Sequence, residues 1–246
     1  ELRGFLLEVR MKRKIENVLL AVAIIFALFL LIITPLRNWL RNNAADDALN
    51  RARQAIENTE GNVEIQVPDT DFLSVDGEDG ENPDLERLLS SMSDISSGHQ
   101  DLTLLGILEI PCIDVELPIW DECSRVALRY GVGRFPESAN IGKEGNTILF
   151  GHRNNRSRTM LWQLETLVEH IGEEAIITTT DGEVHRYRIV DGIYASDADI
   201  DQYLYANFSN TEQLCIATCG YGTDPYDSSI HRVHNTIFIA ICEPME

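Results

Sequence analysis

The chain has 246 residues, 44% of them apolar, and a formal net charge of -20 at pH 7. This length accommodates one packed domain of about 150 residues together with additional segments. Nucleic-acid binding requires clustered Lys and Arg that displace counterions from phosphates, so the acidic balance argues against a nucleic-acid partner.

Residues 1–41 predict a basic cytoplasmic tail and a membrane anchor. Sixteen consecutive apolar residues run from Val18 to Ile33, and with their apolar neighbours they can cross a hydrocarbon core of about 30 Å. A cleaved signal peptide is the alternative, but the run exceeds the usual signal-peptide core and no small-residue cleavage site follows it closely. Basic residues at positions 10, 12, 13 and 14 precede the run. The positive-inside rule therefore predicts a single-pass protein with a cytoplasmic N-terminus and an extracytoplasmic remainder.

Residues 42–101 predict an acidic extracytoplasmic stalk, because they contain fifteen Asp or Glu and only three Lys or Arg. Apolar residues recur at helical spacing over residues 44–57, which predicts a short helix. From residue 60 onward, acidic and small polar residues bury too little apolar surface to offset the entropy of ordering. This part predicts a largely flexible spacer, with a helical turn or two from Pro83 to Met92.

Residues 102–246 predict a strand-rich catalytic domain. Short alternating or β-branched runs are separated by Gly, Pro, Asn and Asp, and seven or so such strands favour a closed β-barrel. Helical patterns are confined to Glu122–Arg129 and Trp162–His170. The predicted strands are Leu104–Ile110, Val115–Ile119, Asn146–Phe150, Ala175–Thr180, Val184–Val190, Leu214–Thr218 and Thr236–Ile241.

Cys219 is the candidate nucleophile among five cysteines. None of their spacings is Cys-x-x-Cys or Cys-x-x-His, so a zinc ribbon or a thioredoxin motif is not supported. Most free cysteines are small buried apolar residues, and we expect this for three or four of the five. Cys219 differs because it is the last residue of an apolar strand, directly before Gly220. A thiol at this position is held rigidly and remains accessible to a substrate.

His152 and Arg232 complete the candidate set. A lone histidine is more often structural than catalytic, but His152 also leaves a strand after a glycine. A nearby imidazole can promote thiolate formation and then protonate a leaving amine. Arg232 follows Cys219 by thirteen residues, and its guanidinium could stabilise a tetrahedral oxyanion. An isolated loop arginine is usually solvated, so Arg232 is a candidate only because Cys219 and His152 are present in the same chain.

From Leu104 onward these features resemble the sortase family. The matching pieces occur in the family's order: Gly106-Ile107-Leu108-Glu109-Ile110-Pro111, Leu117-Pro118-Ile119, Gly131-Val132-Gly133, Gly145-Asn146 leading to Gly151-His152-Arg153, and Thr218-Cys219. The resemblance implies a mostly β fold, a closed eight-stranded sortase-type barrel with a few short helices. The predicted transmembrane helix precedes it.

The resemblance also implies a cysteine transpeptidase. Cys219 would attack the carbonyl of a motif resembling Leu-Pro-x-Thr-Gly, forming a thioacyl enzyme, and His152 would act as general acid and base. Thr218 would help to shape the oxyanion site. The implied partners are sorting-motif surface proteins and an amine of a peptidoglycan precursor or a pilin, outside the membrane of a Gram-positive cell. No cofactor is implied.

The chain departs from the family pattern in three places. Cys215 and Ile216 replace the first two residues of the usual Thr-Leu-x-Thr-Cys motif. The arginine usually opens the last strand, but that position is Asn235, so either Arg232 or Asn235 could serve the oxyanion. The Asp-Pro-aromatic lid of many pilin polymerases has no counterpart before the barrel, which favours a lid-less or class B-like member.

Two further possibilities remain open at this stage. Asp197, Asp199 and Asp201 alternate ahead of the catalytic strand, where some relatives bind calcium; they could hold Ca²⁺ or form a solvated loop. The chain could also be a cysteine hydrolase that uses water as acceptor, or a catalytically impaired sortase-like binding module.

Overall fold

The computed structural model describes residues 22, 24, 27, 43–58, 61, 63–68, 99–154, 159–196, 211–219 and 236–245. Most of the predicted anchor, the predicted turn at Pro83–Met92, Arg232, Asn235 and the three calcium candidates lie outside these residues. No helix among the described residues combines the length and apolarity needed to span a membrane. The chain divides into two units, Glu1–Asn43 and Ala44–Glu246.

The second unit is dominated by β-strands. Residues 43–57 form a helix, α1, and Arg125–Tyr130 form a second helix, α2, whose N-cap Ser124 accepts a hydrogen bond from the backbone N–H of Ala127. Short 3₁₀ segments occur at Pro111–Ile113 and Leu164–Glu169. The strands among the described residues are β1 (Val63–Pro68), β2 (His99–Ile110), β3 (Val115–Trp120), β4 (Val132–Arg134), β5 (Gly145–Gly151), β6 (Arg153–Asn154), β7 (Thr159–Met160), β8 (Glu174–Thr179), β9 (Val184–Ser196), β10 (Glu212–Cys219) and β11 (Thr236–Pro244).

Eight strands close into a barrel, which confirms the predicted architecture. The order is β2-β3-β4-β5-β10-β11-β9-β8, and β8 pairs back with β2. At this seam Gly106 is opposite Thr179, and a Cβ at Gly106 would lie 2.4 Å from the carbonyl oxygen of Thr178. A side chain at residue 106 would therefore require one of the two strands to shift at this seam.

The barrel interior is a single apolar core. Every barrel strand contributes at least one buried side chain to it, for example Leu108 of β2, Val132 of β4 and Ile216 of β10. Leu161, Leu164 and Leu167 join this core from the segment that links β7 to β8. A second apolar cluster, which includes Phe135 and Phe150, packs on the outward-facing residues of four of these strands, β5, β9, β10 and β11. Both faces of β5 and β10 are therefore buried, which accounts for their continuous apolar sequences.

The segment predicted to be a stalk contains two elements that belong to the barrel unit. Strand β1 pairs antiparallel with the first half of β2, from Val63 opposite Leu104 to Pro68 opposite His99. Helix α1, at the predicted position, buries Ala48, Ala52 and Ala55 in a cluster that includes side chains of β1, β2 and α2. The compact unit thus begins at Ala44, whereas the predicted catalytic domain begins at residue 102.

Candidate functional site

Strands β5 and β10 bring the two halves of the candidate site to one end of the barrel. They pair in parallel, from Glu212 opposite Gly145 to Ala217 opposite Phe150. Neighbouring strands lie about 4.8 Å apart, and parallel strands end at the same edge of a sheet. The ladder ends one residue before Thr218 and Gly151, so Cys219 and His152 each follow the end of this parallel pair by two residues.

Thr218 links the two strand ends directly. Its side chain is fully buried, and its Oγ1 donates a hydrogen bond of 2.8 Å to the carbonyl oxygen of Gly151. The hydroxyl proton is therefore used within the protein, and the contact holds the residue before Cys219 against the residue before His152. An oxyanion role for Thr218 stays a prediction.

His152 lies between β5 and β6 and is half-buried. Its carbonyl oxygen accepts a hydrogen bond of 3.1 Å from the backbone N–H of Leu161. A Cβ on the preceding Gly151 would lie 2.6 Å from Leu161 Cδ1, so a glycine allows the buried leucine to pack against the strand. These contacts restrain the backbone on which the imidazole is carried.

Cys219 is the last residue of β10 and pairs with Ile237 of β11. The four other cysteines are free thiols, and three of them, Cys123, Cys215 and Cys242, are buried. Burial raises the pKa of Cys123 and of Cys215 to about 12, and it also raises the pKa of Cys242 and of Cys112. Because a thiolate is the nucleophilic form, the three buried side chains are poor nucleophiles, and the raised pKa of the partly buried Cys112 also disfavours its thiolate.

A group of polar side chains around Arg153, the residue after His152, is not predicted by sequence patterns. Arg153 forms an ion pair with Glu165 of the 3₁₀ segment Leu164–Glu169, and the charges of both residues shift the pKa of Tyr194, near the end of β9. Arg153 belongs to the Gly151-His152-Arg153 motif, but that motif does not indicate which side chains contact the arginine. Glu165 and Tyr194 are far from His152 along the chain, so only the fold brings them together.

The remaining predicted site residues are not tested by the structure. Arg232 and Asn235, and the calcium candidates Asp197, Asp199 and Asp201, lie outside the described residues. Within the part of the chain that the structure describes, no group of three or more His, Cys, Asp or Glu side chains could hold a metal ion.

Comparison with known proteins identifies the family. The sortase domain model matches residues 108–240, which is 133 of the 246 residues. A search of curated proteins found no match. Similar solved structures include sortase C1 of Streptococcus agalactiae in complex with MTSET, with 15% identity, a TM-score of 0.47, and coverage of 57% of this chain and 67% of that one. Sortase D5 of Clostridium perfringens has 18% identity, a TM-score of 0.45, and coverage of 69% and 92%.

A lid mutant of sortase A from Corynebacterium diphtheriae has 19% identity, a TM-score of 0.48, and coverage of 83% of this chain and 95% of that one. The family assignment rests on the domain match, which spans more than half of the chain and includes β3, β4, β5 and β10. This chain belongs to the sortase family.

Proposed function

We propose that the chain is an extracytoplasmic cysteine transpeptidase. It would cleave a motif resembling Leu-Pro-x-Thr-Gly and transfer the attached protein to an amine of a peptidoglycan precursor or a pilin. Sortases are cysteine transpeptidases, so the family supports the reaction class. The single observation that carries the proposal for this chain is the parallel pairing of β5 and β10, reinforced by the hydrogen bond from Thr218 to Gly151.

In the proposed reaction the Cys219 thiolate attacks the motif carbonyl, and a tetrahedral oxyanion forms. When this intermediate collapses, protonated His152 gives its proton to the leaving amine, the C-terminal fragment departs, and a thioester joins the substrate to Cys219. The acceptor amine then attacks the thioester while neutral His152 takes its proton. An amide forms, and the thiolate leaves. Arg232 or Asn235 would donate to the oxyanion in both steps.

The test is incubation of the full chain with a library of sorting-motif peptides and candidate amines, followed by mass spectrometry. We expect cleavage, a thioacyl adduct on Cys219 and an aminolysis product, with Cys219→Ala inactive. Cys215→Ala is the matched control, because Cys215 is a buried thiol four residues earlier on the same strand, and it should remain active.

The outcomes separate the alternatives. Cleavage without any aminolysis product would indicate a hydrolase that uses water as acceptor. Peptide binding without cleavage, together with thiol labelling that is indifferent to Cys219→Ala and His152→Ala, would indicate a binding module. Failure to bind or cleave any peptide would overturn the proposal.

The oxyanion donor is assigned by comparing Arg232→Ala with Asn235→Ala. Loss of one oxyanion donor lowers kcat by about 10²–10³, so we expect the larger loss at Arg232, whose spacing from Cys219 is the usual one. An equal or larger loss at Asn235 would transfer the role to the asparagine. Calcium dependence is tested by the same assay with Ca²⁺ and with a chelator, using Asp199→Asn as the variant.

The proposed location is the cell membrane, with residues 18–33 as the anchor and a cytoplasmic N-terminus. The supporting observation is the long apolar run with basic residues before it. Protease added to intact protoplasts should digest the barrel, and the anchor should remain with the membrane fraction. Protection of the barrel, or its release into the soluble fraction, would contradict this topology.

A further inference from the structure

A cluster of three side chains is built around Arg153, the residue that follows His152 in the chain. We call Arg153, Glu165 and Tyr194 the arginine cluster. An Nη1 atom of Arg153 contacts a carboxylate oxygen of Glu165, and the two side chains are only 12% and 13% exposed. Tyr194 lies close enough to this pair for the charges of both Glu165 and Arg153 to shift its pKa. The cluster thus joins β6, the 3₁₀ segment before β8, and the end of β9.

The ion pair is largely shielded from water, and this determines how it behaves. Removing charges from solvent is costly, and a shielded pair recovers that cost only in a defined geometry. Removing one partner leaves the other charge uncompensated. Arg153 is therefore held to one arrangement, which contrasts with the freedom of an exposed arginine.

Tyr194 connects the cluster to the strand next to β10. Its ring packs edge-to-face against Phe238, with ring centroids 5.2 Å apart and an interplanar angle of 66°. Phe238 is paired with Tyr194 on one side and with Thr218 on the other. Burial raises the pKa of Tyr194 to about 12, and the negative charge of Glu165 adds to this effect. The phenol therefore remains a hydrogen-bond donor throughout the physiological range.

His152 is thus restrained through both chain neighbours. On one side the carbonyl of Gly151 is bound by Thr218, and on the other side Arg153 is bound by Glu165. We propose that Arg153, Glu165 and Tyr194 are positioning residues that hold His152 at the end of β10. This inference rests on the proposed function for its catalytic consequence, but the restraint on His152 can be measured without any substrate.

The kinetic test uses Glu165→Gln and, as its matched control, Glu169→Gln. Both changes remove a carboxylate from the same 3₁₀ segment, but Glu169 is exposed. Misplacing a catalytic group by about 1 Å costs up to about 100-fold; we expect Glu165→Gln to lower kcat at least about tenfold with little change in KM. Glu169→Gln should match the wild type. A rise in KM with unchanged kcat, or an equal loss of kcat in both variants, would overturn the positioning role.

A double-mutant cycle tests whether the pair acts as a unit. If Arg153 and Glu165 act only through each other, the Arg153→Met, Glu165→Gln double variant should be no slower than the slower single variant. Multiplicative losses would contradict the proposal. Tyr194→Phe keeps the ring on Phe238 and removes only the hydroxyl, so it should give a smaller loss of kcat in the same direction.

The substrate-free test follows the histidine directly. The chain has six histidines, so the full chain with ¹³C-labelled histidine side chains should give six resolvable Cε1–H signals. The His152 signal is identified by its loss in His152→Asn. We expect this signal to shift or broaden in Glu165→Gln and to stay unchanged in Glu169→Gln, with both variants unfolding at the wild-type temperature to within a few degrees.

The peptide assay and the histidine NMR measurement together distinguish the proposed transpeptidase function from the proposed positioning role. If no peptide is cleaved but the His152 signal responds to Glu165→Gln, the proposed function fails and the positioning cluster stands. If peptides are cleaved and the His152 signal is unchanged in every cluster variant, the positioning role is wrong and the transpeptidase stands.

Discussion

The Thr218 hydroxyl donates a 2.8 Å hydrogen bond to the carbonyl oxygen of Gly151, across the parallel pair of β10 and β5. One contact therefore joins the residue before the candidate nucleophile to the residue before the candidate base. The bond is buried, so water cannot replace it. Relative placement of the two strand ends depends on this side chain as well as on the backbone ladder.

Replacing Thr218 with Val should affect both stability and rate. The change keeps the shape of the side chain but removes the hydrogen bond to the Gly151 carbonyl, which should cost about 1–3 kcal/mol of unfolding free energy. Urea unfolding measures this loss, and we expect thioacyl formation to slow in the same variant. Thr218→Ser keeps the hydroxyl and should recover part of the lost stability and part of the lost rate of thioacyl formation.

The control for this substitution is Thr166→Val. Thr166 is exposed and its Oγ1 also donates to a backbone carbonyl, that of Gln163, at 2.8 Å. Its loss should stay within about 0.5 kcal/mol. Similar losses at positions 166 and 218 would show that the buried bond has no special role.

Thiol labelling should be selective for Cys219 in the folded chain. At neutral pH Cys123 and Cys215, with pKa values raised to about 12 by burial, contain almost no thiolate, and the pKa of Cys242 and of Cys112 is raised as well. Intact-mass measurement after brief treatment with a vinyl sulfone should show one adduct, absent in Cys219→Ala. In denaturant all five cysteines should react. A single adduct that survives Cys219→Ala would contradict the assignment.

The buried thiols also predict weaker stability at alkaline pH. Their folded pKa is raised above the unfolded value of about 8.5, so the folded state keeps protons that the unfolded state releases. The stabilisation is complete below about pH 8.5 and is lost as pH rises towards 12. Each such thiol should contribute about 1.4 kcal/mol per pH unit to the decline.

Urea unfolding of wild type and Cys215→Ala between pH 8 and 11 measures this slope. Removing the Cys215 thiol should make the decline shallower by about 1.4 kcal/mol per pH unit, whatever the packing change does to stability at pH 8. Parallel curves for the two proteins would show that Cys215 does not contribute to the alkaline decline.

Helix α1 should be required for full stability of the barrel unit. Ala52 is fully buried, and Arg53 binds Glu116 of β3 through two hydrogen bonds, of 2.7 and 2.5 Å. A chain that starts at Gly61 would expose the apolar surface under the helix, whereas one that starts at Asn43 would keep it covered. We expect the shorter chain to melt at lower temperature and to bind a hydrophobic dye.

A pair of substitutions refines this prediction. Ala52→Glu would bury an unpaired carboxylate and should cost more than about 2 kcal/mol, as measured by urea unfolding. Gln54→Glu introduces the same side chain on the exposed face of the helix and should be nearly neutral. Equal effects would show that α1 is not packed on the unit.

Several features follow from the sequence by itself. Alternating or continuous apolar runs predict seven of the eight barrel strands, because both patterns are local consequences of burying one or two faces of a strand. The placement of His152 and Cys219 at strand ends also follows, since a glycine after an apolar run ends a strand. The apolar spacing of residues 44–57 predicts α1 for the same local reason.

The tertiary structure alone decides the rest. Strand β4 has three residues, too few to show any alternation, and it becomes the eighth strand only because β3 and β5 pair with it. Strand β1 lies in an acidic segment whose composition favours disorder, yet pairing with β2 orders it. Glu165 and Tyr194 reach Arg153 from distant elements. Such pairings are non-local, so they depend on which surfaces meet when the barrel closes, and no residue pattern along the chain encodes them.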